Sequence, residues 1–94
     1  MMDIEKLRKK IVPVLKRYGV RRSGIFGSLV RGEGDKDSDL DILVDIKDDL
    51  SLLDLVGLKI DLEEVVGRRV DLVEYDAIKP MIRKNILGEQ VVIL

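Results

Sequence analysis

Cysteine, histidine and tryptophan are all absent from this 94-residue chain. Without cysteine there is no disulfide and no thiolate metal site. Without histidine, the commonest general base and the usual zinc ligand are gone. Catalysis here must run on carboxylates, hydroxyls, lysine, arginine and a hard metal ion. Only three residues are aromatic, so a core drawn from the 46% hydrophobic fraction has to be aliphatic. Long apolar runs are missing too: nothing approaches the ~20 residues of a membrane span, and the charged N-terminus is unlike a signal peptide. The cytoplasm is the expected location. Nor does one charge dominate. Charged residues make up 37% with a net charge of −1, which argues for a soluble protein and against a dedicated nucleic-acid binder. The length predicts one domain, residues 1–94, burying roughly 60–65% of its unfolded surface.

What is present has an α/β rhythm. Ile4, Leu7, Ile11, Val14, Leu15 and Tyr18 recur at three- and four-residue steps. They predict an amphipathic helix over 3–18 with Asp3 near its N-cap, kinked or broken at Pro13 and stopped by Gly19. A strand is expected over 20–26, then a short helical turn over 28–31. Asp39 to Ile46 is the clearest strand, with Leu40, Ile42, Val44 and Ile46 on one face and Asp39, Asp41, Leu43 and Asp45 on the other. Ser51 and Asp54 resemble a capping box that opens a helix to about Val66, closed by Gly67. A third strand over 69–75, a Pro80-led helix over 79–87 ended by Gly88, and a final strand over 90–94 complete the reading. The expected fold is α/β: a small mixed sheet of about four strands, helices packed on one face, and the acidic face of the central strand open. The helix after Ser51 carries a wider apolar arc than one buried face requires, which core packing and a protein-binding surface together explain.

Two parts of the chain suit phosphate chemistry. Gly27 and Ser28 follow a strand and begin a helical turn, where backbone N–H groups and the helix dipole favour an anion. Ser28 adds a hydroxyl donor, Arg31 a charged fork and Gly32 a second flexible point. After Ser28 and ten intervening residues come Asp39 and Asp41, two apart on a strand. That spacing puts both carboxylates on one face with Cα atoms ~6–7 Å apart. It suits a shared Mg²⁺, or two ions ~3.5–4 Å apart. Without a cation the pair repels for no structural gain. An EF-hand beginning at Asp35 fails, because its sixth position is Leu40 and its twelfth Ile46; Asp35, Asp37 and Asp45 read as solvated acids. Asp71 is the only acid of its predicted strand flanked by apolar residues on both sides, and it can face the same ions. In a chain without histidine a carboxylate is the expected base. Arg21-Arg22, Arg68-Arg69 and Arg83-Lys84 read as solvated faces.

The arrangement Gly27-Ser28, ten residues, Asp39-x-Asp41 resembles the signature of the polymerase-β-like nucleotidyltransferases. The fuller strings Gly-Ser-x-x-Arg-Gly at 27–32 and Ser-Asp-x-Asp-x-x-Val at 38–44 are similar to their minimal, antitoxin-type branch. Leu29-Val30 fills a place where relatives often carry an aromatic or alanine, and both versions are apolar. The resemblance implies Mg²⁺ on Asp39 and Asp41 with Asp71 as third carboxylate and base. It also implies nucleotide held at Gly27, Ser28 and Arg31, with ATP as substrate. The implied partner is a HEPN-type toxin, in a hetero-oligomer, receiving AMP on a tyrosine, with no membrane and no direct nucleic acid involved. Two alternatives stay open: neutralisation of a HEPN ribonuclease by occlusion, with the site only sensing nucleotide, and transfer to a small molecule.

Overall fold

In the computed structural model, residues 3–35, 37–46 and 50–94 are described. Helix α1 (Ile4–Arg17) begins where the Asp3 carboxylate accepts from the Lys6 N–H at 3.2 Å. Glu5 in its first turn and Lys16 and Arg17 in its last complement the helix dipole. Gly19 ends it in the left-handed region at φ +74°. The expected break at Pro13 does not occur, and one helix runs through it. Pro13 and Lys9 are both exposed, so the Lys9 carbonyl that loses its N–H partner faces water, and the usual cost is reduced.

Strand β1 (Arg22–Phe26) leads to β2 (Leu40–Asp45), and α2 (Leu52–Val66) crosses over to β3 (Val70–Glu74). The capping box at Ser51 and Asp54 forms in both directions, and Gly67 closes α2 at φ +72°. A 3-10 turn over Tyr75–Ala77 leads to α3 (Pro80–Glu89) and β4 (Val91–Val92). Gly88 lies inside α3 instead of ending it. Glycine within a helix costs only about 1 kcal/mol relative to alanine, and the helix turns out at Gln90. The last strand is shorter than the expected 90–94, but Ile93 and Leu94 still exchange backbone bonds with Ser23.

The sheet is mixed, in the order β3-β2-β1-β4, with β1 antiparallel to both β2 and β4 and β2 parallel to β3. On one face Leu40, Ile42 and Val44 are fully buried against Ile11, Val14 and Leu15 of α1 and Leu58 and Leu62 of α2. The other face has a smaller apolar patch, where Leu43 packs with Tyr75 and Ile78, supported by Phe26, Ile86 and Leu87. The rest of that face belongs to the acids.

Candidate active site

Gly27 ends β1 at φ +88°, and a side chain there would meet the Asp41 carboxylate. Both facts call for glycine. Beyond it the chain makes one short hydrogen-bonded turn, as expected over 28–31, before the loop. The Val30 and Arg31 N–H groups donate to the Gly27 carbonyl at 3.1 and 3.2 Å, and those of Glu33 and Gly34 to Ser28. Arg31 lies on this turn with its guanidinium against Glu89, Nη1 to Oε1 at 3.0 Å, and against Glu33 at 3.0 Å. The Gly27 N–H also donates to Glu89 Oε1, at 2.9 Å.

The carboxylates follow from register. Asp41 pairs with Phe26 on one side and with Asp71 on the other, and partners in register share a face. Asp41 is half-buried and Asp71 exposed. Burial first, then the charges of Asp71 and Asp39, push the Asp41 carboxyl above its ordinary value, with Arg31 pulling the other way. Asp39 sits one residue before β2, its Oδ1 paired with Arg69 Nε at 3.2 Å on the surface. Three acids are thus gathered, but among the described residues no three acids are set closely enough to enclose an ion. The donor set is oxygen-only, the kind that suits Mg²⁺. A groove of about 450 Å³ opens beside Asp71 between α2 and β3, bordered by Leu55, Val56 and Lys59.

The other acids separate from the site. Asp45 pairs with Arg21 at 3.2 Å at the far end of β2. Asp35 accepts from Ser38 and from the Asp37 N–H within the loop. Several basic residues read as solvated have partners of their own: besides Arg21 and Arg69, Arg22 lies over the Tyr75 ring, Arg68 donates to the Ser38 carbonyl at 3.2 Å, steadying the approach to Asp39, and Arg83 donates to the Tyr75 carbonyl at 2.6 Å. Glu89 carries no sequence signal. Its place depends on α3 ending beside β1, a long-range consequence of the pairing of β4 with β1.

The family model described as Polymerase beta, Nucleotidyltransferase matches residues 9–94. A Methanocaldococcus jannaschii relative, named provisionally as a protein adenylyltransferase, is 47% identical over 99% of this chain and 100% of its own. Protein adenylyltransferase MntA of Thermococcus cleftensis is 49% identical over 81% of this chain and 77% of its own length. The solved structure of a protein described provisionally as a minimal nucleotidyltransferase superposes with a TM-score of 0.81 at 40% identity, covering 96% of this chain and 95% of that one. The fold alone is shared with a complex of a tri-AMPylated Shewanella oneidensis HEPN toxin and its MNT antitoxin, with a TM-score of 0.72 at 20% identity, covering 96% of this chain and 71% of that one.

Proposed function

The chain belongs to the polymerase beta nucleotidyltransferase family, and from that premise we propose that it moves AMP from ATP to a protein hydroxyl. The acceptor in this reading is a tyrosine of a HEPN toxin, and the chain is its antitoxin, working as one domain in the cytoplasm. The observation that carries the proposal is the pairing of Asp41 with Asp71, beside the strand that ends in the Gly27 turn. Relatives named protein adenylyltransferase, and the MNT antitoxin bound to its AMPylated toxin, support the acceptor class.

In this reading Asp39, Asp41 and Asp71 would hold Mg²⁺, which when bound supplies positive charge against the phosphates. Asp39 would give up its pair with Arg69, an exposed bridge worth ~0–1 kcal/mol. The Gly27 and Ser28 N–H groups, the Ser28 hydroxyl and Arg31 receive the β- and γ-phosphates. Asp71 orients the acceptor hydroxyl and takes its proton as the oxygen attacks the α-phosphorus. The bond from that phosphorus to the bridging oxygen breaks, and pyrophosphate leaves. Positioning and fixed charge carry the rate. Incubation of the chain with ATP labelled in its adenosine, Mg²⁺ and a cognate HEPN toxin is expected to label the toxin, and EDTA to abolish it. A tight complex that neutralises the toxin without labelling it would favour occlusion instead, a reading favoured by the engagement of Asp39 with Arg69 and of the Gly27 turn with Glu89.

A further inference from the structure

Glu89 is the last residue of α3, and 25% of its side chain is exposed. Oε1 accepts from the Gly27 N–H at 2.9 Å and from Arg31 Nη1 at 3.0 Å, and Oε2 accepts from the same nitrogen at 3.2 Å. An anion thus rests on a backbone donor and a guanidinium, the pair of partners a phosphate oxygen would choose. The arrangement costs the site something. Glu89 lies close enough to Asp41 to add to the repulsion among the acids. Its attachment is partial: α3 has no fully buried residue, and among the described residues half-buried Ile86 and Leu87 pack it against the sheet, with Arg83 on the Tyr75 carbonyl.

We propose that Glu89 is a built-in competitor of the triphosphate, occupying the Gly27–Arg31 grip until an incoming terminal phosphate displaces it. This rests on the reading of Gly27 and Arg31 as phosphate donors. A ligand wins by offering more negative charge to the same donors, so the grip favours a triphosphate or inorganic tripolyphosphate and rejects AMP, which has no β- or γ-phosphate to place there. Displacing Glu89 frees the end of α3 from the turn. The arrival of nucleotide is thereby linked to the α3–β4 junction.

Calorimetry on the full chain with Mg²⁺ and either a non-hydrolysable ATP analogue or tripolyphosphate tests the proposal. When an internal occupant holds the site most of the time, apparent affinity falls by the fraction left open. Glu89→Ala should therefore tighten binding of both ligands by about 10-fold, and Glu89→Gln by less, because its amide oxygen still accepts. Adding Arg31→Ala to Glu89→Ala should erase the gain. If Glu89→Ala does not fold, Glu89→Gln carries the test. Unchanged or weaker binding in a folded Glu89 variant, with wild type binding normally, overturns the proposal and leaves the nucleotide reading intact; weaker binding would make Glu89 a positioning residue for Arg31 or a partner of the metal. Failure of every folded form, wild type included, to bind either ligand overturns the nucleotide reading and this one with it.

Discussion

Strand β2 presents two faces, and although Leu43 is buried on one of them, Asp41 on that same face lives under conditions opposite to those of Leu40, Ile42 and Val44 on the other. Toward the helices, Leu40, Ile42 and Val44 are fully buried among aliphatic neighbours. Toward the other side, Asp41 faces Asp71 across the ladder, with Asp39 and Glu89 adding to the repulsion. The first face gains stability from every contact it makes. The second spends some of that stability on like charges held together, an arrangement that favours the fold only when something positive joins it. A sheet with one well-packed face can tolerate a strained one.

That contrast can be broken from the acidic side first. Asp71→Asn is expected to lower AMP transfer to a toxin by about 10²–10⁴-fold, the usual contribution of a general base, while sparing most nucleotide affinity. Asp39→Asn and Asp41→Asn should lose both Mg²⁺-dependent binding and turnover. A labelled-ATP assay beside calorimetry separates the two classes, and wild-type transfer by Asp71→Asn would remove it from the role of base. Gly27→Val belongs with these losses. Its new side chain would run into the Asp41 carboxylate from a backbone at φ +88°, and a folded variant binding ATP normally would refute the role of the turn.

From the apolar side, Ile42→Ala should cost about 2–5 kcal/mol in urea unfolding, the range for emptying a packed aliphatic site. A loss under ~1 kcal/mol would mean that this face is not the core. Ser28→Ala should be milder, weakening triphosphate binding about three- to tenfold, the worth of one hydrogen bond. Identical affinities would take the Ser28 hydroxyl out of the grip.

The smallest effect sharpens the comparison most. In metal-free protein Asp41→Asn should raise stability, by on the order of 0.5 kcal/mol for relieving a like-charge pair across a ladder. The pH dependence has a definite sign. The Asp41 carboxyl is raised above its ordinary 3.8 in the fold, by burial foremost, so the protonated form is the one the fold prefers. Its favourable contribution is whole below the ordinary value and is lost as pH rises through the raised one. Thermal unfolding in EDTA should show Asp41→Asn gaining on wild type as pH climbs from about 4 toward neutrality. A gap that closes over that interval would contradict the crowding of charge inferred for this face.

Much of this was legible in the sequence because short-range rules govern it. The alternation along β2 sorted Leu40, Ile42 and Val44 from Asp41, and Ser51, Asp54 and Gly67 marked the ends of α2 with their own caps. Asp71 was visible as an acid between apolar neighbours; that it aligns with Asp41 is a matter of register between strands. Pro13 and Gly88 carry strong local preferences, yet α1 runs unbroken through the first and α3 continues past the second to Glu89. Glu89 itself could not be found by any spacing rule, since its partners lie on the far side of the chain.

The pairing of β4 with β1, Gly24 opposite Val92, also bears on which contacts close first as the chain folds. Asp41 and Asp71, paired across the β2–β3 ladder, stand closer in sequence than Gly24 and Val92 do, so the ladder of acids closes the shorter loop. Contacts of wider sequence separation are slower to close, and β4 contributes only two residues to the sheet. By that measure the acids come into register more readily than Glu89 reaches the Gly27 turn, and the contact that a nucleotide would later have to undo is among the slower ones to close.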